Sequence, residues 1–187
     1  MIRDRGREGR GEGAEPPGDL LPELATARLR ALPATAAHAG ELQACLEGAP
    51  EYFARTEGGP ADADAARRLL LEAEADPERR VFLLVGAPGG PGAVGVLDLY
   101  LHQPEPGVAH VGLLLLREAV QGRGLGRELV EALERALGAA GFSALRLSVG
   151  DESPSARAFW EALGFEAAGR LAGGVTVYER RLQAPGA

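Results

Sequence analysis

The sequence predicts a mixed α/β fold in a single domain, with a central sheet flanked by helices. Short segments of alternating or continuous apolar residues, which are typical of strands, are interspersed with longer segments of helical periodicity. Their order along the chain is strand, two helices, three strands, helix, strand, helix and two strands. A length of 187 residues with 45 % hydrophobic residues fits one domain that buries a substantial core.

The first predicted strand covers residues 26–33, where alanine and leucine alternate with arginine. Two helices follow it, one over residues 35–47 and one over about 62–76, and each begins with a residue type that caps helices. Pro77 ends the second helix because proline cannot continue the backbone hydrogen bonds.

Three strands come next. The segments 81–85 and 94–101 are separated by a turn rich in glycine and proline, which predicts a hairpin. The fourth strand, 108–116, ends in a continuous apolar run, which predicts burial on both faces of the sheet.

A glycine-rich turn, Gln121–Gly126, opens the next helix, whose apolar residues recur at helical spacing. The last elements are recognised by apolar patterns and glycine stops, and comprise a fifth strand at 144–149, a helix at 154–163 and two strands at about 165–171 and 175–182.

Composition excludes several classes of protein. All 20 cationic side chains are arginine, and 27 acids give a net charge of −7, which argues against a nucleic-acid partner. The acidic balance mildly favours a cationic small molecule, and the alternative is that the charge only keeps the protein soluble. One cysteine and three histidines cannot build a thiolate-rich metal cage, so no metal is expected.

The distribution of apolar residues also predicts the cellular location of the protein and the extent of its folded domain. No apolar run is long enough to span a membrane, and residues 11–15 are not apolar as a signal peptide requires, so we expect a cytoplasmic protein without a membrane partner. Residues 1–22 are rich in glycine, arginine and proline and predict a disordered tail, followed by a single domain over 23–187. Monomer and homodimer remain open alternatives.

The turn at Gln121–Gly126 is the motif that carries chemistry. Glycines between a strand and a helix expose backbone N–H groups at the positive end of the helix dipole, where a pyrophosphate binds. The glycine spacing does not match a dinucleotide-binding fingerprint, and a P-loop is excluded because the chain has no lysine.

Two sequence blocks carry a family resemblance. Gln121, Gly124 and Gly126 match the pattern Arg/Gln-x-x-Gly-x-Gly/Ala, and the segment Ser153–Phe165 ends in aromatic-x-x-x-Gly-Phe. In both blocks, and in strand order from about residue 26 to 182, the chain resembles the GCN5-related N-acetyltransferases (GNAT).

The resemblance implies a mixed, mostly antiparallel sheet whose fourth and fifth strands splay apart, and acetyl-CoA as the acetyl donor. The backbone of the fourth strand would bind the pantetheine arm, and the N–H groups of the turn would bind the pyrophosphate. The cofactor-binding residues implied in this way are Leu114, Leu115, Leu116, Gln121, Gly122, Arg123, Gly124, Leu125, Gly126, Ser153, Ser155, Arg157 and Trp160.

The chain departs from the family pattern at three positions. Trp160 stands where many relatives have a proton-donating tyrosine, Ser153 replaces an asparagine, and Glu118 replaces a proline. Since an indole is not a practical proton donor, the proton for the leaving thiolate is expected from water or another side chain.

Three residues are candidates for base catalysis or amine binding: Asp98, Glu105 and His110. For each, a solvent-facing structural role is the alternative. Tyr52 and Phe53 lie between the first two predicted helices, in the segment that often shapes the acceptor pocket in the family.

The function predicted from these residues is transfer of an acetyl group from acetyl-CoA to a primary amine of a small molecule or a protein N-terminus, by direct attack. A second hypothesis is a catalytically inactive acyl-CoA-binding sensor or interaction module. A third is O-acetylation or use of a longer acyl donor.

Overall fold

The computed structural model describes residues 21, 23–90 and 92–183. The predicted tail therefore lies almost entirely outside the described residues. Leu21, which the prediction assigned to the tail, is described, and its side chain is buried in the main core.

The elements follow the predicted order with two additions. The strands are β1 (Leu24–Ala25), β2 (Leu29–Pro33), β3 (Arg79–Gly86), β4 (Ala93–Leu101), β5 (Val108–Leu116), β6 (Ala144–Gly150), β7 (Glu166–Leu171) and β8 (Val175–Arg181). The helices are α1 (Ala39–Glu47), α2 (Pro50–Thr56), α3 (Ala65–Ala75), α4 (Leu125–Ala139) and α5 (Pro154–Ala162), with 3₁₀ turns at Ala36–His38 and Glu118–Val120.

All eight strands form one sheet in the order β1-β2-β3-β4-β5-β6-β8-β7. Neighbouring strands are antiparallel except β5 and β6, which are parallel. The predicted mixed, mostly antiparallel sheet is confirmed, and the predicted hairpin is the pair β3 and β4.

Hydrophobic clusters cover both faces of the sheet. The main cluster includes Leu129 and Leu133 of α4 and Trp160 of α5. The second includes Leu42 of α1 and also Leu115, whereas the neighbouring Leu114 packs against the main cluster. The apolar end of β5 therefore buries side chains on both faces, as its continuous pattern predicts.

The two elements that the sequence reading did not predict are α2 and β1. Pro50 occupies the first turn of α2, where its missing N–H costs nothing, but a helix of 7 residues is too short for a periodic pattern to identify. The first long strand begins at Leu29 rather than at Thr26, because the Thr26 hydroxyl donates to the Leu29 carbonyl at 3.1 Å and closes a turn.

A β-bulge interrupts the pairing of β4 and β5. Asp98 pairs with Leu113 while Leu99 pairs with Val111, so Gly112 is the extra residue on β5. A Cβ atom on Gly112 would lie 2.6 Å from Cε2 of Tyr100 and 3.0 Å from Oδ2 of Asp98. Glycine is therefore needed here, because the Tyr100 and Asp98 side chains occupy the space that a side chain on residue 112 would take.

The bulge coincides with the end of the pairing between β5 and β6. Residues Val108 to Val111 of β5 pair with Ala144 to Leu147 of β6, and in the described chain the register stops there. Beyond this point the two strands part, which confirms the splay that the family resemblance implied.

Replacement of Gly112 by alanine tests this packing. The added methyl group must displace the Tyr100 ring, and we expect a loss of about 1–3 kcal/mol of unfolding free energy. For a domain of this size that lowers the melting temperature by about 2–12 °C. Gly169→Ala is the control, since no atom lies within 4 Å of a Cβ there. Equal melting of both variants and the wild type in thermal denaturation would contradict the assignment.

Candidate active site

A cavity of about 220 Å³ opens where β5 and β6 part. Its walls come from both strands, from α2 and from the start of α5. The lining residues are Tyr52, Thr56, Val111, Gly112, Leu113, Leu114, Leu147, Ser148, Val149, Gly150, Glu152, Ser153, Ala156 and Trp160.

The glycine-rich turn follows β5 directly and ends in α4. Gly122 and Gly124 have φ angles of +71° and +79°, a left-handed conformation that favours glycine. The Gln121 side-chain amide donates to the Leu116 carbonyl at 2.7 Å and ties the turn to the strand. The first N–H groups of α4 lack intrahelical acceptors, as in any α-helix, so the turn presents donors at a positive helix end.

Two arginines shape the backbone of this turn. The Arg123 guanidinium donates to the Ala119 carbonyl at 2.9 Å, so it folds back on its own turn. Arg28, from the loop between β1 and β2, donates to the Arg123 carbonyl at 2.9 Å and pairs with Glu128 at 2.7 Å. The sequence reading did not identify Arg28 as part of the site, because its partners lie about a hundred residues away in the chain.

Trp160 lines the cavity and is otherwise buried in the core. Its ring packs edge-on against Phe159 and Phe165, each with ring centroids 5.0 Å apart. The sequence expectation that Trp160 packs rather than donates a proton agrees with this position. Tyr178, on β8, donates its hydroxyl hydrogen to Glu161 at 2.9 Å and belongs to the main core.

The start of α5 differs in detail from the prediction. Ser153 is buried and lines the cavity, but its hydroxyl makes no cap hydrogen bond and instead accepts one from Arg55 Nε at 3.2 Å. Arg157 pairs with Asp151 at 3.3 Å. Ser155 and Arg157 are not among the residues that line the cavity.

Helix α2 covers the acceptor side of the cavity and is held at both ends. At its start, Glu118 accepts a hydrogen bond from the Glu51 N–H at 2.8 Å. At its other end, Arg55 reaches Ser153. Glu118, the acid that replaces a proline of the family pattern, thus fastens α2 to the segment that leads into the glycine-rich turn.

Of the two predicted acceptor-pocket residues, one lines the cavity. Tyr52 does so, and burial, with a contribution from Glu57, raises the pKa of its hydroxyl, which stays protonated at neutral pH. Phe53 is buried in the second cluster and does not line the cavity, because adjacent residues of a helix point in different directions.

None of the three predicted base candidates lines the cavity. Asp98 is buried and pairs with Arg79, with contacts of 3.0 and 2.9 Å; burial raises the pKa of the carboxyl, and Arg79 opposes this. The sequence reading required an acid at this place to face solvent or a site. Asp98 does neither, because Arg79 compensates its charge inside the protein.

Glu105 and His110 lie along the same face of the sheet as Asp98. Glu105 is exposed and pairs with Arg146 at 3.3 Å. His110 is half-buried opposite Tyr100 on one neighbouring strand and Arg146 on the other. Burial and Arg146 lower the pKa of His110, so its ring is neutral at pH 7.

Several groups in and around the cavity were missed by sequence reasoning, namely Arg55, Thr56, Ser148 and Glu152. Arg55 and Thr56 lie on the unpredicted helix α2. Glu152 carries no local signal, since it looks like any exposed acid in a turn.

Two other kinds of site, a nucleophilic cysteine and a metal centre, find no support in the described residues. Burial raises the pKa of the Cys45 thiol to about 11, so the thiolate needed of a nucleophile is scarce at pH 7. Within the described ranges, no group of three or more acidic, histidine or cysteine side chains is placed to hold a metal ion. Nor is any helix there long and apolar enough to cross a membrane.

Comparison with solved structures identifies similar folds. The crystal structure of an acetyltransferase from Thermus thermophilus shares 36 % identity at a TM-score of 0.75, and the match covers 86 % of this chain and 99 % of that chain. A probable acetyltransferase (GNAT family) from Chromobacterium violaceum shares 17 % identity at a TM-score of 0.74, with 97 % of each chain covered. RimL, a ribosomal L7/L12 alpha-N-protein acetyltransferase in complex with coenzyme A, shares 16 % identity at a TM-score of 0.69, covering 87 % of this chain and 99 % of that chain.

No curated protein sequence matches the chain. The family model described as Acetyltransferase (GNAT) family matches residues 36–165, which is more than half of the chain and includes the glycine-rich turn and α5. By this match, and by the strand order and splayed strands that it shares with solved acetyltransferases, the chain belongs to the acetyltransferase (GNAT) family.

Proposed function

We propose that this protein is an N-acetyltransferase that moves an acetyl group from acetyl-CoA to a primary amine by direct attack in a ternary complex. The observation that carries the proposal is the gap between β5 and β6, which opens the sheet beside the glycine-rich turn. In this proposal the gap holds the pantetheine arm and the acceptor, and the turn, which follows β5, holds the pyrophosphate.

The residues of this path fit acetyl-CoA. On the side of β5 that faces β6, backbone groups beyond Val111 have no strand partner in the described chain, so the amides of a pantetheine arm can pair with them as an added strand does. The turn offers N–H groups at a helix N-terminus for the pyrophosphate. No atom lies within 4 Å of a Cβ position on Gly122, which leaves room for the phosphates.

The donor supplies an activated acetyl group when bound, and the chain must supply orientation and proton transfer. The acceptor nitrogen has to be neutral when it attacks, and the departing sulfur needs a proton. Tyr52 lines the cavity, and the raised pKa of its hydroxyl keeps it protonated at neutral pH. We assign it the proton-donating role that Trp160 cannot fill.

The acceptor is proposed as a small cationic amine or a protein N-terminus. The cavity of about 220 Å³ fits a short amine better than a bulky one, and the net charge of −7 attracts cations over long range. A nucleic-acid or membrane partner is not proposed.

Acetyl-CoA binding and turnover test the proposal directly. A ligand present at about 100 times its Kd adds about 2.7 kcal/mol of stability, so we expect the melting temperature to rise by about 5–10 °C. A panel of primary amines should then release free thiol from acetyl-CoA. NAD and ATP serve as controls, and the absence of both a thermal shift and thiol release at millimolar acetyl-CoA would refute the proposal.

Gly124→Glu should abolish the thermal shift, because it introduces a side chain and a negative charge where the pyrophosphate would bind. Gly141→Glu is a matched control: Gly141 follows the other end of α4, has a φ angle of +86°, and has no atom within 4 Å of its Cβ position. Both substitutions strain a residue in the left-handed conformation. A difference between the two variants in the thermal shift with acetyl-CoA therefore reports the effect on cofactor binding. Normal acetyl-CoA binding by folded Gly124→Glu would place the phosphate site elsewhere.

Tyr52→Phe should lower kcat by about 10²-fold or more, since it removes a positioned proton donor. Adding Trp160→Tyr, which puts a phenol on another wall of the same cavity, should restore part of the loss. Initial rates of thiol release measure both effects, with acetyl-CoA binding checked by thermal shift. An unchanged kcat in Tyr52→Phe would remove the proton-donating role from Tyr52.

The same variants address the second hypothesis, an inactive acyl-CoA-binding module, which the tryptophan at position 160 favours. In that case the wild type binds acetyl-CoA but releases no thiol with any amine. Activity that appears only in Trp160→Tyr would then identify the protein as one that lost catalysis with its tyrosine.

A further inference from the structure

Glu152 lies in the turn between β6 and α5 and lines the cavity. Its carboxylate is folded over Gly150 and occupies the volume that a side chain on residue 150 would take. Glycine at the end of β6 therefore leaves space for an acid at the wall of the cavity. Glu152 is the only acidic residue among the described residues that line the cavity.

The acid next to it in sequence is held differently. Asp151 pairs with Arg157 and with Arg170, so its charge is compensated by two guanidinium groups outside the cavity. Glu152 makes neither a hydrogen bond nor an ion pair with any other described residue. The nearest arginine on α2, Arg55, is engaged with Ser153.

A carboxylate without a hydrogen-bond or ion-pair partner in a small, half-enclosed cavity attracts a cation. Glu152 is the only charged residue among the described residues that line the cavity, and the Arg55 guanidinium next to the lining is bonded through Nε to the Ser153 hydroxyl. Tyr52 lines the same cavity, and Glu152 contributes to the raised pKa of its hydroxyl.

We propose that Glu152 is the acceptor-binding residue of this cavity, and that it selects acceptors whose reacting nitrogen is a cationic primary amine. The proposal rests on the acetyltransferase function proposed above. It names the substrate class of that site and a group that binds it.

The proton balance of the transfer is then complete. The bound ammonium first gives one proton to the Glu152 carboxylate, which passes it to solvent, so that the attacking nitrogen is neutral. As the new N–C bond forms and the C–S bond breaks, the nitrogen loses its second proton to the Glu152 carboxylate and the sulfur gains one from the Tyr52 hydroxyl. Water returns a proton to the phenolate and takes one from the carboxyl, so each turnover releases one proton in total. Both groups regain their starting states without any oxidant, reductant or further reactant.

The test compares Glu152→Gln with wild type and with Glu166→Gln, a control that removes the same charge from an exposed position on β7. The probes are alkylamines, which are cationic at pH 7.5, and arylamines, which are neutral. In Glu152→Gln we expect the KM for alkylamines to rise about 10- to 100-fold through loss of a charge-assisted hydrogen bond. The KM for acetyl-CoA should not change, and Glu152→Asp should recover part of the effect.

A salt series separates charge from shape. The KM of the wild type for alkylamines should rise with ionic strength, because salt screens the attraction, and that of Glu152→Gln should rise less, because only the attraction of the remaining net charge is left to screen. Glu166→Gln should behave as wild type.

Three results would overturn the inference. They are an unchanged alkylamine KM in Glu152→Gln, a wild type that uses arylamines as well as alkylamines, and an equal loss in Glu166→Gln. Each leaves the acetyltransferase function standing, since thiol release still occurs. A wild type that releases no thiol with any amine refutes the proposed function itself, and the role of Glu152 with it.

Discussion

The site depends on one constraint in the sheet, the parting of β5 and β6 after Val111 and Leu147. These are the only parallel neighbours in the described sheet, and their connection runs through the glycine-rich turn and α4. A continuous ladder would satisfy every backbone group of β5 and leave no edge for a ligand. The bulge at Gly112 falls where the pairing stops, and a bulge bends the strand that carries it. The side chains of Tyr100 and Asp98 fill the space beside Gly112, at the residue where the pairing with β6 has just ended.

Arginine side chains pair with the acids on the polar face of the sheet. Arg79 bonds to Asp98 and Glu72, and Arg146 bonds to Glu105 and Glu179. Removing one partner of a buried pair such as Arg79 and Asp98 costs about 3–5 kcal/mol, whereas exposed pairs contribute about 0–1 kcal/mol. Asp98 thus contributes to the stability of this face through its pair with Arg79.

Helix α2 joins the two halves of the site. Its start is bonded to Glu118, in the segment before the glycine-rich turn, and its end is bonded to Ser153, at the entrance to α5. The helix that carries Tyr52 is thereby fixed relative to both segments. This contact explains the glutamate at position 118, since a proline there has no carboxylate to accept a hydrogen bond from the Glu51 N–H.

The sequence by itself determined the element order apart from α2 and β1, the hairpin of β3 and β4, the two-sided burial of β5 and the glycine-rich turn. Each of these follows from near neighbours in the chain, through the period of apolar residues or the conformational freedom of glycine. The tertiary structure alone decided which polar residues meet. Arg55 reaches Ser153 and Arg28 reaches Glu128 across roughly a hundred residues. Asp98 turns to Arg79, while Glu152 enters the cavity because Gly150 leaves room for it. Such contacts depend on strand register and on the clearance beside particular glycines, and a linear pattern contains neither.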